Sequence, residues 1–196
     1  IFANVGYHLN ERLTLTVGAR YFEDDRTFVR PGLGISKSAS FDHFSPSASL
    51  SYAVNDNASI YTSISEGFRS GGFNFFAPDY DPETVRTYEL GAKASLLDSR
   101  LSVDAAAFFS EYSDYLSQDV IFVGGVPQGG IANTGEVEMQ GVEFSAQFSF
   151  SEQLSIGFNG HYIDTELTKT STVVPVFEIG DPVNNTPKYS YSINTR

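Results

Sequence analysis

The stretch Val142-Glu143-Phe144-Ser145-Ala146-Gln147-Phe148-Ser149-Phe150 runs through Ser151-Glu152-Gln153 into Leu154-Ser155-Ile156-Gly157-Phe158-Asn159. In both arms every second residue is apolar and its neighbours are polar or small. That period of two belongs to a strand with one dry and one wet face. The three residues between the arms are turn formers, so the stretch reads as an antiparallel hairpin. The same alternation recurs in Leu13, Leu15, Val17, Ala19 and Tyr21, and in Leu101, Val103, Ala105, Ala107 and Phe109. A helical reading of residues 83–97 fails on their Thr, Val and Tyr content.

The connections carry further information. Tight polar turns fall at Asn10-Glu11, Asn55-Asp56-Asn57, Asp98-Ser99 and Ser151-Glu152-Gln153, while residues 30–42, 70–82, 121–134 and 167–187 read as long connections rich in Gly, Pro, Asp and Asn. Short and long connections alternate, and the strands between them are longer than the short strands of a soluble sandwich. This predicts an all-β, antiparallel transmembrane β-barrel segment of about nine strands. The strands are expected near residues 1–8, 12–29, 43–54, 58–70, 83–97, 100–120, 135–150, 154–166 and 187–196. In lipid a sheet must close, because nothing there pairs with a free backbone N–H. Arg20, Glu89, Lys93, Asp104 and Glu143 fall on the polar face and suit a wet lumen. Tyr7, Tyr52, Tyr61, Phe68, Tyr112 and Tyr162 lie near strand ends, as interfacial girdles would.

Composition agrees. The 196 residues include 17 Phe, 11 Tyr, no Cys and no Trp, with 12 basic and 24 acidic residues for a net charge of -12. Such aromatic content excludes a disordered acidic tail. The missing cysteines exclude disulfide scaffolds and thiolate metal sites. The negative balance argues against a nucleic-acid partner. No apolar run approaches the length of a membrane helix. Neither end reads as a natural terminus, so residues 1–196 are expected to be part of a barrel whose remaining strands lie elsewhere.

Four segments, in order, resemble the barrel of TonB-dependent outer-membrane receptors. Gly67-Phe68-Arg69-Ser70-Gly71-Gly72-Phe73-Asn74 is similar to the family's G-F-[RK]-[AS]-G-G-[FY]-N run. Pro82-Glu83 through Tyr88-Glu89-Leu90-Gly91-Ala92-Lys93 resembles its P-E-x-[VS]-x-x-[YF]-E-[LV]-G-x-K strand. Asn133-Thr134-Gly135 through Gly141-Val142-Glu143 resembles its N-x-G-x-x-x-x-x-G-[VF]-E strand, and Asn185-Thr186-Pro187-Lys188 its N-x-P-[KR] strand start. The resemblance implies a barrel with a plugged lumen in a Gram-negative outer membrane. Its plug domain and TonB-contacting box are not found in this sequence. It also implies contact with outer-membrane lipid and lipopolysaccharide, partnership with the TonB complex, and energy-coupled import of a scarce nutrient, foremost a ferric siderophore.

Arg69, Asn74, Asp79 and Asp81 are the outer-rim candidates to meet a ligand, although Arg69 is expected rather to pair with acids or with lipopolysaccharide phosphate. Gly67, Gly71 and Gly72 are read as backbone geometry, supplying positive φ where a strand breaks into a loop. Asp79, Asp81 and Glu83 alternate as oxygen ligands for calcium would, but Thr84 stands where such a loop wants Gly, so a solvated acidic loop is preferred. His8, His43 and His161 lack zinc spacing. Asp164 and Glu166 lack the partners of a catalytic carboxylate pair. The glycine pairs 124–125 and 129–130 lack a P-loop lysine and read as flexible loop tips. No catalytic constellation and no cofactor is implied. A passive channel or adhesin barrel is the alternative, and a soluble β-rich enzyme or carbohydrate-binding module stands behind it. Expressed alone in detergent-free buffer, the chain is expected to aggregate, as read by sedimentation, because its edge strands and apolar face lack cover. A soluble monomer that melts cooperatively would sink the barrel reading.

Overall fold

A computed structural model describes residues 1–170 and 178–196. Its strands are β1 (Phe2–His8), β2 (Leu13–Arg30), β3 (Ile35–Asn55), β4 (Ala58–Arg69), β5 (Glu83–Leu96), β6 (Leu101–Ser113), β7 (Leu116–Val123), β8 (Val126–Asn133), β9 (Gly135–Ser149), β10 (Ser155–Thr170) and β11 (Tyr189–Thr195). Nine of them form one antiparallel sheet in the order β1-β2-β3-β4-β5-β6-β9-β10-β11, and β7 and β8 form a separate hairpin. Each wall strand pairs with the next along the chain, so the wall is an up-and-down meander with open edges at β1 and β11.

Register sorts the side chains onto two faces. Thr16, Ser49, Ser63 and Glu89 stand opposite one another in one row. Tyr61, Gly91, Ala106, Glu143 and His161 form another on the same face. The other face carries Leu15, Leu50, Thr62, Leu90, Ala107 and Val142 in one row. These apolar side chains point away from any core: Leu90 is 62% exposed and Val142 52%. Such a face is stable against lipid, and the Ser- and Glu-bearing face is stable only against water. The five charged residues assigned to the lumen all lie on the polar face. Among the girdle candidates, Tyr7, Tyr52 and Tyr162 point outward, whereas Tyr61 lies on the inner face and Phe68 and Tyr112 pack against rim residues. On the outer face, Arg86, Glu111, Glu138 and Glu166 stand opposite one another. They mark where the wall rises out of lipid on the long-loop side.

The tight turns form as their residues dictate. Asn10 Oδ1 accepts from the N–H groups of Arg12 (2.8 Å) and Leu13 (2.9 Å). Asn55 Oδ1 accepts from Asn57 N–H at 2.8 Å, and Ser151 Oγ from Gln153 and Leu154 at 3.2 Å each. Leu97, Asp98 and Ser99 all have positive φ, where a short polar side chain is best tolerated.

Two long connections differ from expectation. Residues 30–42 are mostly strand: β2 and β3 pair continuously from Leu13↔Tyr52 to Arg30↔Ile35, closed by one 3₁₀ turn at Pro31–Leu33. At about 3.4 Å per residue, the 18 residues of β2 reach well beyond the lipid. Residues 121–134 hold most of the β7–β8 hairpin rather than a loop, and the expected strand over 100–120 ends at Ser113. The connection expected over 167–187 begins later, since β10 runs to Thr170, and its residues 171–177 lie outside the described residues.

The two faces predict opposite responses to the same charge. In the complete barrel, Leu90→Arg is expected to destabilise the folded state in lipid vesicles by about 2–4 kcal/mol. Ser63→Arg, on the wet face opposite Glu89, is expected to be nearly neutral. Urea titration followed by heat-modifiability on gels reads both, and equal effects would overturn the assignment of faces.

Candidate functional site

The outer rim is built where neighbouring strands part. β3 and β4 cease to pair above Ser47↔Ser65, while β2 and β3 continue together. The gap is closed by side chains. His43 stacks on Phe68 with centroids 4.6 Å apart and rings 2° from parallel. Phe68 also meets Phe22 at 5.7 Å. His43 Nε2 lies 2.8 Å from Glu66 Oε1, and Arg86 Nη2 donates to Glu66 Oε2 at 3.2 Å.

Beyond Arg69 the chain folds onto the inner side of the β2–β3 extension. Ser70 Oγ donates to Asp24 Oδ2 at 3.0 Å, and Arg26 Nε donates to the same oxygen at 2.6 Å. These donors hold the Asp24 carboxyl below the usual carboxylate range. Arg26 Nη1 donates to Gly71 O at 2.9 Å. Gly72 and Tyr80 exchange both backbone hydrogen bonds, at 2.9 and 3.0 Å, which pinches the loop closed. A Cβ at Gly72 would run into the Tyr80 ring, and one at Gly71 would come 2.8 Å from Phe41. The expectation that these glycines supply positive φ is corrected. Among the positive-φ glycines of the described residues, 67, 71 and 72 do not occur, and what demands glycine is close approach. At Gly67 the close neighbour is Val85, 2.9 Å from where a Cβ would be.

Four side chains then stand in for a backbone ladder and lock the β7–β8 hairpin to this loop. Glu83 Oε2 accepts from Leu116 N–H at 2.5 Å and from Arg69 Nη2 at 2.9 Å. Arg69 Nη2 also donates to Leu116 O at 2.7 Å. Glu83 is buried at the start of β5, above the lipid-spanning part. Burial pushes its carboxyl above the ordinary range, while the Leu116 N–H and Arg69 pull against that shift. Asn74 donates to Pro78 O (2.6 Å) and Ile131 O (2.7 Å) and accepts from Ile131 N–H at 2.9 Å. Asn133 accepts from Asp81 N–H at 2.8 Å and donates to Asp81 O (3.0 Å) and Asp114 O (2.9 Å). Ala77, Ile121 and Ala132 form a small buried cluster between the two segments.

The remaining candidates take these places. Arg69 and Asn74 are spent on bracing. Asp79 pairs with Lys37 at 2.6 Å, and Asp81 engages Asn133 through its backbone. Among the described residues no group of three or more His, Asp or Glu is arranged to hold a metal ion. Phe73 meets Phe28 at 6.3 Å. Gly135 has φ 137°, and a Cβ there would strike Lys169 O. Tyr88 points outward and stacks on Phe109 at 6.5 Å. Pro187 lies exposed two residues before β11. On the inner wall Lys93 pairs with Asp104 at 2.6 Å and lies 5.6 Å from the Tyr61 ring. Tyr61 in turn crosses Gly91, and Phe108 crosses Gly141. Glu89, Glu143 and His161 complete a wet cleft on this wall.

The β7–β8 hairpin is the rim element that sequence reasoning passes over. Its signal is present: Ile121-Phe122-Val123 and Val126 flank Gly124-Gly125, a two-residue turn with both φ values positive, at 58° and 83°. Asn74 and Asn133 as backbone surrogates carry no such local signal, since their partners lie 57 and 52 residues away.

A meander with a lipid face, a water face and braced loops on one side defines the wall of an outer-membrane β-barrel. All of residues 1–196 match the family described as TonB dependent receptor-like, beta-barrel. The chain belongs to that family, and with it to the outer membrane of Gram-negative bacteria. It is 25% identical over 203 residues to the pesticin receptor of Yersinia enterocolitica, covering 93% of this chain and 29% of that protein. It is 30% identical over 149 residues to the metal-pseudopaline receptor CntO of Pseudomonas aeruginosa, covering 76% of this chain and 20% of that one. The crystal structure of the ferric yersiniabactin uptake receptor FyuA from Yersinia pestis superposes with a TM-score of 0.75 at 21% identity, over 99% of this chain and 30% of that one. The chain thus spans less than a third of the length of these relatives. The family is one of receptors and transporters.

The brace predicts a local response. Asn74→Ala leaves the Ile131 N–H and two carbonyls without partners, at a cost of about 1–3 kcal/mol for a buried orphan group. In the full-length receptor, amides of residues 116–133 are expected to exchange hydrogen faster and residues 124–125 to be cleaved sooner by protease, with wall strands unchanged. Asp79→Ala, which removes only an exposed ion pair, is expected to leave that protection intact. Unchanged protection in Asn74→Ala would refute the brace.

Proposed function

We propose that this chain is part of the barrel of an energy-coupled outer-membrane receptor that imports a scarce nutrient, foremost a ferric siderophore. The observation that carries the reading is the braced mouth. A passive pore needs a wet wall and a selective constriction, but not a loop and a hairpin tied down by Glu83, Asn74 and Asn133. A rigid outer mouth is what capture of a large, dilute ligand requires, because rigid contacts cost little ordering entropy on binding. The names of the relatives, receptors for pesticin and for a metal-pseudopaline complex, support the receptor class.

In this reading Arg69 and Asn74 serve the ligand by fixing the mouth, and Asp79 and Asp81 line it. The remaining strands, a plug and the TonB-contacting segment belong to the same longer polypeptide, in keeping with the fraction of its relatives that the chain spans. The outward face meets lipid and lipopolysaccharide. The inner wall, with Lys93, Asp104, Glu89 and Glu143, offers polar contacts to whatever occupies the lumen. The protein does no covalent chemistry.

The test is uptake. Cells grown under iron limitation are expected to lose accumulation of a radiolabelled ferric chelate when the gene for the full-length receptor is deleted. They are expected to lose it equally when TonB is deleted or the proton-motive force is collapsed. Uptake that persists without TonB would identify a passive channel instead.

A further inference from the structure

The lipid-facing side chains continue down to the tight turns themselves. Leu9, Val54, Leu96, Phe150 and Leu154 flank these turns, keep the outward alternation of their strands, and are 44–54% exposed. An apolar collar in that position sets the turns at the height of the phosphates of the periplasmic leaflet. Arg100 ends the turn between β5 and β6, and its side chain reaches across to the turn between β9 and β10. Its Nε donates to Ser149 O at 3.1 Å and its Nη2 to Phe150 O at 3.3 Å. The guanidinium lies over the Phe148 ring, 5.3 Å from the centroid, and Phe150 meets Phe148 edge-on at 4.6 Å. Phe148 shares its row with Leu101 and Ile156 on the outward face, so the ring holds the guanidinium on the lipid side of the lower edge. Arg100 is exposed, and among the described residues it has no carboxylate partner and its Nη1 no acceptor. It borders a cleft of about 510 Å³ lined also by Arg196, Ser149, Ser151 and Ser155, with Glu152 as the one carboxylate of the lining.

We propose that Arg100 and this cleft seat the phosphodiester of an anionic phospholipid of the periplasmic leaflet, with Phe148, Phe150 and Leu154 against its acyl chains. Two carbonyls and a ring fix the guanidinium in advance, so little side-chain freedom is lost when a headgroup arrives. The N–H groups left over lie in the plane of the fork, where a phosphate oxygen accepts them. The two arginines outnumber the one carboxylate of the cleft, and this excess favours a lipid with net negative charge. A zwitterionic lipid brings its own ammonium, which competes with Arg100 for the phosphate and is repelled by the same excess. The apolar collar is continuous with the rows of Leu101 and Phe148, so the chains of such a lipid stay within the face that already meets the bilayer. Lipopolysaccharide belongs to the other end of the wall, beyond the row of Arg86, Glu111, Glu138 and Glu166. A lipid seated here ties the β5–β6 turn to the β9–β10 turn and fixes the height of the wall in the membrane.

The inference holds whatever the receptor imports. It is tested with the full-length receptor, stripped of lipid in detergent and titrated with phosphatidylglycerol or phosphatidylcholine, with bound lipid counted by native mass spectrometry. The wild type is expected to hold one phosphatidylglycerol about fivefold more tightly than phosphatidylcholine, the effect of one basic side chain at an anionic lipid surface. Arg100→Gln is expected to abolish that preference, and Arg100→Lys, which keeps the charge but not the flat fork, to fall between. Phe148→Leu, which frees the guanidinium from its ring, is expected to weaken phosphatidylglycerol about twofold. Arg12→Gln removes a charge at the same end of the wall that lies over no ring among the described residues, and is expected to leave the preference intact. Phosphatidylcholine affinity is expected to stay within about twofold in every variant, and heat-modifiability on gels checks that each is folded. Unchanged phosphatidylglycerol affinity in Arg100→Gln, or an equal loss in Arg12→Gln, would overturn the seat, the latter in favour of diffuse surface charge. Displacement of the bound lipid by millimolar glycerol phosphate would overturn it in favour of a site for free phosphate, and retention of the lipid supports it.

Discussion

Lipid offers a backbone amide no partner, and the rest of this structure depends on that. Every N–H and C=O in the wall must be spent on a neighbouring strand. Strand pairing therefore runs without interruption from β1 to β11 through the wall, and the side chains are left to divide between two solvents. Leu90 and Val142 face one, Glu89 and Glu143 the other, with a single residue's step along the strand between them. A one-residue slip of register would exchange the faces and put Glu143 in lipid. The alternation is thus the quantity that holds the wall in place.

Above the lipid the same need persists in a different form. Loop and hairpin backbones pack against each other there without forming a regular ladder, so their buried polar groups have to be met by side chains. Asn74 and Asn133 do this because a primary amide carries both an acceptor and donors, as a peptide group does. Glu83 with Arg69 does it with charge: carboxylate to N–H and guanidinium to C=O of the same residue, Leu116. Burial of Glu83 is tolerable because these donors meet the carboxylate directly. The family motifs around Gly71-Gly72, Glu83 and Asn133 are in this sense instructions for closing the mouth.

What the sequence discloses follows from range. The wall strands, the tight turns at Asn10, Asn55, Asp98 and Ser151, and the division of Glu89 and Lys93 from Leu90 rest on residues a few positions apart, so periodicity reveals them. The turn at Pro31–Leu33 is misjudged because Pro, Gly and Ser between residues 31 and 40 look like loop, while pairing with β2 carries them as strand. The β7–β8 hairpin is missed although its Gly124-Gly125 turn is visible, since short apolar runs around paired glycines also suit a mobile tip. The clasps of Asn74 and Asn133, and the packing of Arg30 on Phe75, join segments some fifty residues apart, and no local pattern encodes them.

The disposition of charge gives the rim its polarity. Of 12 basic residues, seven are in ion pairs with carboxylates: Arg26, Lys37, Arg69, Arg86, Lys93, Lys169 and Lys188. Arg100 donates to the carbonyls of Ser149 and Phe150 beside a tight turn. Arg12 and Arg196 lie at the opposite end of the wall from the braced loops. That leaves Arg20 and Arg30, both on the inner side of β2 and both laid on phenylalanine. A fixed positive charge in an acidic protein acts at long range only where no carboxylate cancels it, and inside a concave wall the low-dielectric surroundings concentrate its field. Arg20 and Arg30 are therefore the two points on the inner side of β2 where the acidic excess of the chain is locally reversed.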